Sequence, residues 1–185
     1  MKISSGSLFF ALAVVGVLGV PGGKAAGQHS GDELVPIEPF DAVFFVRSHT
    51  IRLEGPPEEV FPLFTPEGRQ LWSSFKPIML RVPDDGWEGA VYQQATIHDE
   101  PNTAIVTDYD PGRGFIRYTT FIPRSEAWEM EIQVGPLGGG SYATVTYRVT
   151  SLSEEANPSI TEFFDGHFEL GIDRWAAAID RYLNH

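Results

Sequence analysis

The chain contains no cysteine. That single absence excludes a disulfide framework, a thiolate metal site, a cysteine nucleophile and a lipid-modified cysteine anchor. Basic residues are scarce as well: 13 Lys and Arg stand against 25 Asp and Glu, for a formal charge of −12. No Lys/Arg cluster interrupts this surface, so it repels phosphate backbones and anionic head groups. Nucleic-acid binding is excluded as the main role. Histidine is sparse, and no HxxxH or HExxH pattern occurs, so neither a metal nor a cofactor is implied. There is no GxSxG nucleophile elbow, and GPLGGG at 135–140 lacks the lysine of a phosphate loop. What the chain does have is 42% hydrophobic and 12% aromatic residues, ample for one packed interior.

The longest apolar run, Leu8 to Val20, follows Lys2 and precedes PGGKAAGQ. A basic n-region, an apolar h-region and a small-residue c-region read together as a signal peptide over residues 1–27. As a helix this run rises about 20 Å, short of a hydrocarbon core of roughly 30 Å, which argues against a retained anchor. Export to the periplasm or beyond is expected, without stable membrane insertion of the mature chain. Residues 28–39 read as a flexible tail and 40–185 as one domain.

Within that domain, Ala42 to Glu54 reads as a strand, its inner face carrying Phe45, Arg47, His49, Ile51 and Leu53. GPPEEVFPLF and PEGRQLW then suggest two short helices, the second delivering Trp72 to the interior. From Trp87 onward five strand-like runs alternate with the turns DEPN, DPGR, PRSE and GPLGGG. Trp128, Met130, Ile132 and Val134 alternate with Glu129, Glu131 and Gln133, marking one buried and one wet face. The chain closes on a long helix whose apolar stripe runs from Ile160 to Leu183, with Ser159 and Glu162 at capping-box spacing. The segment Ser73 to Gly89 is read as a loop at the mouth of the interior. The fold class is therefore α+β: a curved antiparallel sheet of six or seven strands around a long C-terminal helix, with two short helices after the first strand.

Three segments sharpen this pattern: HTIRLEGPPEEVFPLFTPEGRQLW (His49 to Trp72), TDYDPGRGFIRY (Thr107 to Tyr118) and YATVTYRVTSLSEEAN (Tyr142 to Asn157). They resemble small bacterial members of the SRPBCC, or START-like, superfamily, whose helix-grip architecture is of the Bet v 1 type. The resemblance implies a cavity between sheet and C-terminal helix that takes hydrophobic or amphipathic ligands. Lipid carriers, hormone receptors, polyketide cyclases and oxygenase subunits share the architecture, so it does not choose among functions.

Candidate ligand contacts follow from parity and stripe: His49, Trp72, Tyr92, Trp128, Met130, Tyr147, Phe164, His167 and Phe168. The tyrosines are the stronger aromatic candidates, because a buried phenol requires a hydrogen-bond partner. Any of these aromatics also serves as plain core. His167, between Phe164 and Phe168, is read as facing the cavity or as a rim residue satisfying a carbonyl. Arg47 is expected to snorkel to the rim. Three functions stay open: a carrier of a lipid-like or aromatic molecule, a cyclase or dehydratase using the same His and Tyr for proton transfer, and a structural domain with a filled core. Nothing in the sequence indicates an oligomeric state.

Overall fold

The computed structural model describes residues 39–94 and 101–185. The expected leader, the tail up to residue 38, the strand continuation at 95–98 with His98, and Asp99 and Glu100 of the DEPN turn lie outside the described residues.

Seven strands form one antiparallel sheet: β1 (Phe44–Leu53), β2 (Ile78–Arg81), β3 (Val91–Gln94), β4 (Asn102–Asp110), β5 (Phe115–Ile122), β6 (Glu126–Leu137) and β7 (Gly140–Ser151). Their order is β1-β7-β6-β5-β4-β3-β2, so the first strand closes on the last. Most links are hairpins. The sharpest joins β6 to β7 through Gly138 and Gly139, whose φ angles of 52° and 91° suit the two-residue turn that matches strand twist. The GPLGGG stretch is thus a turn because two successive residues there need positive φ.

Period-two patterning sorts the two faces as expected. On β6, Met130, Ile132 and Val134 are buried, while Glu129 and Glu131 point outward to meet Arg117 and Arg148 on β5 and β7. Arg148 Nη1 lies 2.8 Å from Glu129 and 2.9 Å from Glu131, and Arg117 Nη2 lies 2.8 Å from Glu131. Partial burial raises the Glu131 carboxyl. The hydrogen bonds and charges of Arg148 and Arg117 outweigh it and hold the group below the usual carboxylate range.

Between β1 and β2 the chain makes α1 (Pro57–Val60), a 3-10 turn (Phe61–Phe64) and α2 (Arg69–Trp72). Pro57 starts α1 and Glu58 and Glu59 fill its first turn, where a missing N–H and negative charge are both favourable. Thr65 then links the 3-10 turn to α2. Its hydroxyl donates to Pro62 O at 2.8 Å and accepts from Gly68 N at 3.0 Å. Tyr118 of β5 donates its buried hydroxyl to Phe64 O, tying this helical corner to the sheet.

The structure corrects three readings. The 73–89 segment is not wholly loop, because it contains β2, which pairs with β3 just beyond it. IMLR is too short, and too close to Pro77 and Pro83, to stand out by alternation. Ser159 and Glu162 form no capping box. The terminal helix begins earlier, at Asn157, and the Ser159 hydroxyl instead donates to Ala156 O at 3.0 Å. Nor is that helix uniform: α3 (Asn157–Glu162) passes through a π turn (Phe163–His167) into α4 (Phe168–Leu183). The helix lies against β1 and α2. Phe164, Phe168, Ile172 and Ile179 are buried beneath it. No helix among the described residues is long and apolar enough to cross a membrane.

Candidate functional site

The inner face of the sheet is built in rows set by register. One row runs Tyr92, Ala104, Thr120, Trp128, Val149 and Phe45 across β3, β4, β5, β6, β7 and β1. The next carries Tyr118, Met130, Tyr147 and Arg47 across β5, β6, β7 and β1. In the first row, small side chains at Ala104 and Thr120 separate the large rings of Tyr92 and Trp128.

Aromatic rings continue this lining onto the helices. Tyr147 meets Trp128 at 5.3 Å between ring centroids, Phe168 at 5.7 Å and Phe164 at 6.4 Å. Phe164 stacks on Phe168 at 5.6 Å and on Phe45 at 5.3 Å. Toward the other end Trp72 packs on Trp175 of α4 at 5.7 Å, and its indole N–H donates to Leu63 O at 2.8 Å. Tyr92 is edge-on to Phe75 at 5.6 Å and to Tyr118 at 6.2 Å.

The nine expected contacts divide on this geometry. Tyr92, Met130, Phe164 and Phe168 are fully buried. Trp72, Trp128 and Tyr147 are half-buried although each belongs to the inner lining. His49 stands at the rim, its Nε2 2.7 Å from Asp173 Oδ1 of α4, with a quarter of the side chain exposed. His167 is the correction. Its side chain is 62% exposed and sits 3.8 Å from Glu162 rather than facing the interior. The π turn ending at His167 holds an extra residue, which keeps Phe164 and Phe168 on the core and turns the intervening position outward. At Gly171 of α4 a Cβ would meet nothing within 4 Å, so the glycine is not required there by close packing. Arg47 has snorkelled to the rim, 3.6 Å from Asp165.

A residue the sequence reading passed over is the most distinctive group here. Arg69, on α2, carries its guanidinium carbon 4.4 Å from the Phe75 ring centroid and 5.4 Å from that of Trp175. Its Nε is sealed from solvent and has no hydrogen-bond partner. Two further sealed polar atoms lack partners, Thr120 Oγ1 and Asn102 Oδ1, both on inner-face positions. The only sequence signal for Arg69 is a basic residue three positions before Trp72 in PEGRQLW, which reads equally well as a solvated helix face.

Burial pushes the phenols of Tyr92, Tyr118 and Tyr147 up, and the Arg69 charge opposes it at all three. Burial pushes the Tyr147 phenol up to about 12, although part of the side chain remains reachable. A phenol raised in the folded state favours the fold while neutral. That contribution is complete below the ordinary tyrosine value of about 10 and is lost as pH climbs toward 12. A spectrophotometric titration should therefore show these three tyrosines ionising only with alkaline unfolding, after the exposed ones. Reversible ionisation of every tyrosine near pH 10 would contradict the packing described.

Surface clefts accompany the lining among the described residues. One of about 600 Å3 lies around Arg81, Pro83, Gly86, Ile105 and Tyr109. Another of about 320 Å3 sits at the π turn, between Arg47, Phe164, His167 and Asp173. Among the described residues no group of three His, Asp or Glu side chains converges to hold a metal ion.

No family model matches the chain, and none of the curated proteins does. Solved structures do. An uncharacterised protein from Rhizobium leguminosarum superposes with a TM-score of 0.58 at 17% identity, covering 76% of this chain and 97% of its own. Norcoclaurine synthase from Thalictrum flavum, solved with dopamine and hydroxybenzaldehyde, gives 0.55 at 14% identity, covering 83% and 96%. Ara h 8.0201 gives 0.52 at 16% identity, covering 77% and 100%. These superpositions cover most of both chains, and the chain has a Bet v 1-type helix-grip fold.

Proposed function

We propose that the protein holds a hydrophobic or amphipathic small molecule, lipid-like or aromatic, between the inner face of the sheet and the terminal helix. The observation that carries this reading is polar: Thr120 Oγ1, Asn102 Oδ1 and Arg69 Nε are sealed from solvent without partners, in an otherwise aromatic and aliphatic interior. Each such atom costs about 1–3 kcal/mol if it stays unsatisfied, and a bound ligand would recover that. Apolar walls with a few convergent polar groups are the usual make-up of a small-molecule site. The complex of norcoclaurine synthase with two aromatic compounds supports the reading, as a protein of the same fold.

A second reading, proton-transfer catalysis of the cyclase or dehydratase kind, draws support from one feature. His49 is paired to Asp173 at 2.7 Å at the rim, where a carboxylate orients an imidazole. His167, outside the interior, does not contribute to it. The leader read in residues 1–27 would put either activity outside the cytoplasm, and a mature N-terminus near Gln28 in an envelope or secreted fraction would support that.

Native mass spectrometry of the protein from its natural source, followed by denaturing extraction, tests the carrier reading. A stoichiometric hydrophobic species released on unfolding is expected. A bare polypeptide mass, together with failure to bind any of a panel of fatty acids, fatty alcohols and naphthalene derivatives, would overturn it.

A further inference from the structure

We infer that the bound molecule carries a carboxylate on its apolar or aromatic body, and that Arg69 is the residue that reads it. The inference rests on the carrier reading above and narrows its ligand to an acidic class.

Arg69 is a cation without an anion. Among the described residues, ion pairs join Arg47, Arg113, Arg117 and Arg148 to Asp or Glu on the surface, whereas Arg69, packed between rings, is in none. Its guanidinium lies instead over Phe75 and Trp175, and its Nε is cut off from water as well as from protein acceptors. Aromatic faces recover part of the lost hydration, but they accept no N–H in the plane of the group. A guanidinium whose faces are taken by rings presents its N–H edges, and a carboxylate is the planar acceptor that matches such an edge.

The surroundings point the same way. The groups that feel this charge are phenols, those of Tyr92, Tyr118 and Tyr147, reached from β3, β5 and β7. The Tyr118 hydroxyl is committed to Phe64 O. That of Tyr147 has no hydrogen-bond partner among the described residues and is free to donate to a ligand oxygen. Thr120, fully buried on the inner face, offers another unused hydroxyl. A cation among neutral hydroxyls, one of them the Tyr92 phenol that already accepts from it, and in no ion pair among the described residues, is arranged for an anion brought from outside. The net charge of −12 sharpens the contrast. The surface as a whole repels acids, so an anion reaching this site needs a local cation such as Arg69.

Displacement of a neutral phenylnaphthylamine probe tests this with matched pairs: dodecanoate against dodecanol, and naphthoate against naphthol. In the native protein at neutral pH the acid of at least one pair should displace the probe at about tenfold lower concentration than its alcohol. Arg69→Gln should erase that preference, so that acid and alcohol displace the probe at concentrations within about twofold of each other. Arg69→Lys, which keeps the charge but not the planar fork, should retain part of it. Equal displacement by acid and alcohol in the native protein overturns the inference and leaves the carrier reading intact. Acid preference that survives in Arg69→Gln overturns the assignment to Arg69. Failure of the probe and all four compounds to bind overturns the carrier reading, and this inference with it. Should Arg69→Gln fail to fold, the acid–alcohol comparison in the native protein and in Arg69→Lys still decides.

Discussion

Phe168→Ala should destabilise the protein by about 3–5 kcal/mol, the range for removing a fully buried aromatic ring. Phe168 is 2% exposed. It stands at the centre of the ring cluster, stacked on Phe164 at 5.6 Å and edge-on to Tyr147 at 5.7 Å and Phe163 at 6.3 Å. Its loss leaves a cavity beside Tyr147 on β7 and the rings of Phe163 and Phe164, which close it only in part, so the transfer and cavity terms add. In a domain of this size each kcal/mol corresponds to roughly 2–4 °C in Tm, and the melting temperature should fall by roughly 6–20 °C. His167→Ala, one residue away, is the control. With its side chain 62% exposed, it should change stability by no more than about 0.5 kcal/mol. Comparable losses in the two variants would mean that the π turn presents a different face to the sheet.

Gly68→Ala should be the second severe change, at about 3 kcal/mol or more, the upper end of what overpacking costs. Conformation is not the obstacle, because Gly68 has φ −61° and ψ −36°, which any residue adopts. Space is. A Cβ would stand 2.0 Å from Pro62 O and 2.7 Å from Leu63 Cα, and both are backbone atoms that no rotamer change can move. The clash pushes the 3-10 turn away from α2 and breaks the Thr65 bridge between them. Arg69 and Trp72 begin and end α2, so tryptophan fluorescence and ligand affinity should shift along with the unfolding midpoint. Gly171→Ala is the counterpart. With nothing within 4 Å and a helical backbone, it should be neutral or stabilise by up to about 1 kcal/mol, as alanine limits the unfolded chain and favours helix. A mild Gly68→Ala would show that α2 can slide without loss, and would weaken any role that depends on where Arg69 is held.

Sequence and structure agree most closely where local chemistry dominates. The alternation on β6, the Gly138–Gly139 turn, the proline-led entry to α1 and the apolar stripe of the last helix were legible because each is set by neighbours a few residues apart. The same short-range logic identified Tyr92, Met130, Tyr147, Phe164 and Phe168 as inward-facing. It misjudged His167, since the helical wheel assumes a constant 3.6-residue period and the π turn interrupts it. It missed β2, whose four residues carry too little pattern between two prolines.

The sequence alone determined the architecture, through periodicities and turns that rise from steric and hydrophobic rules acting over short spans, and it excluded the functions that need thiols, basic surfaces or compact metal motifs. Only the tertiary structure decided what the interior offers a ligand. Whether Arg69 faces water or an aromatic pair depends on Phe75 and Trp175, which lie 100 residues apart along the chain. Whether Thr120 and Asn102 find partners depends on which strands and helices cover them. Such pairings are long-range, and no local pattern of residues encodes them.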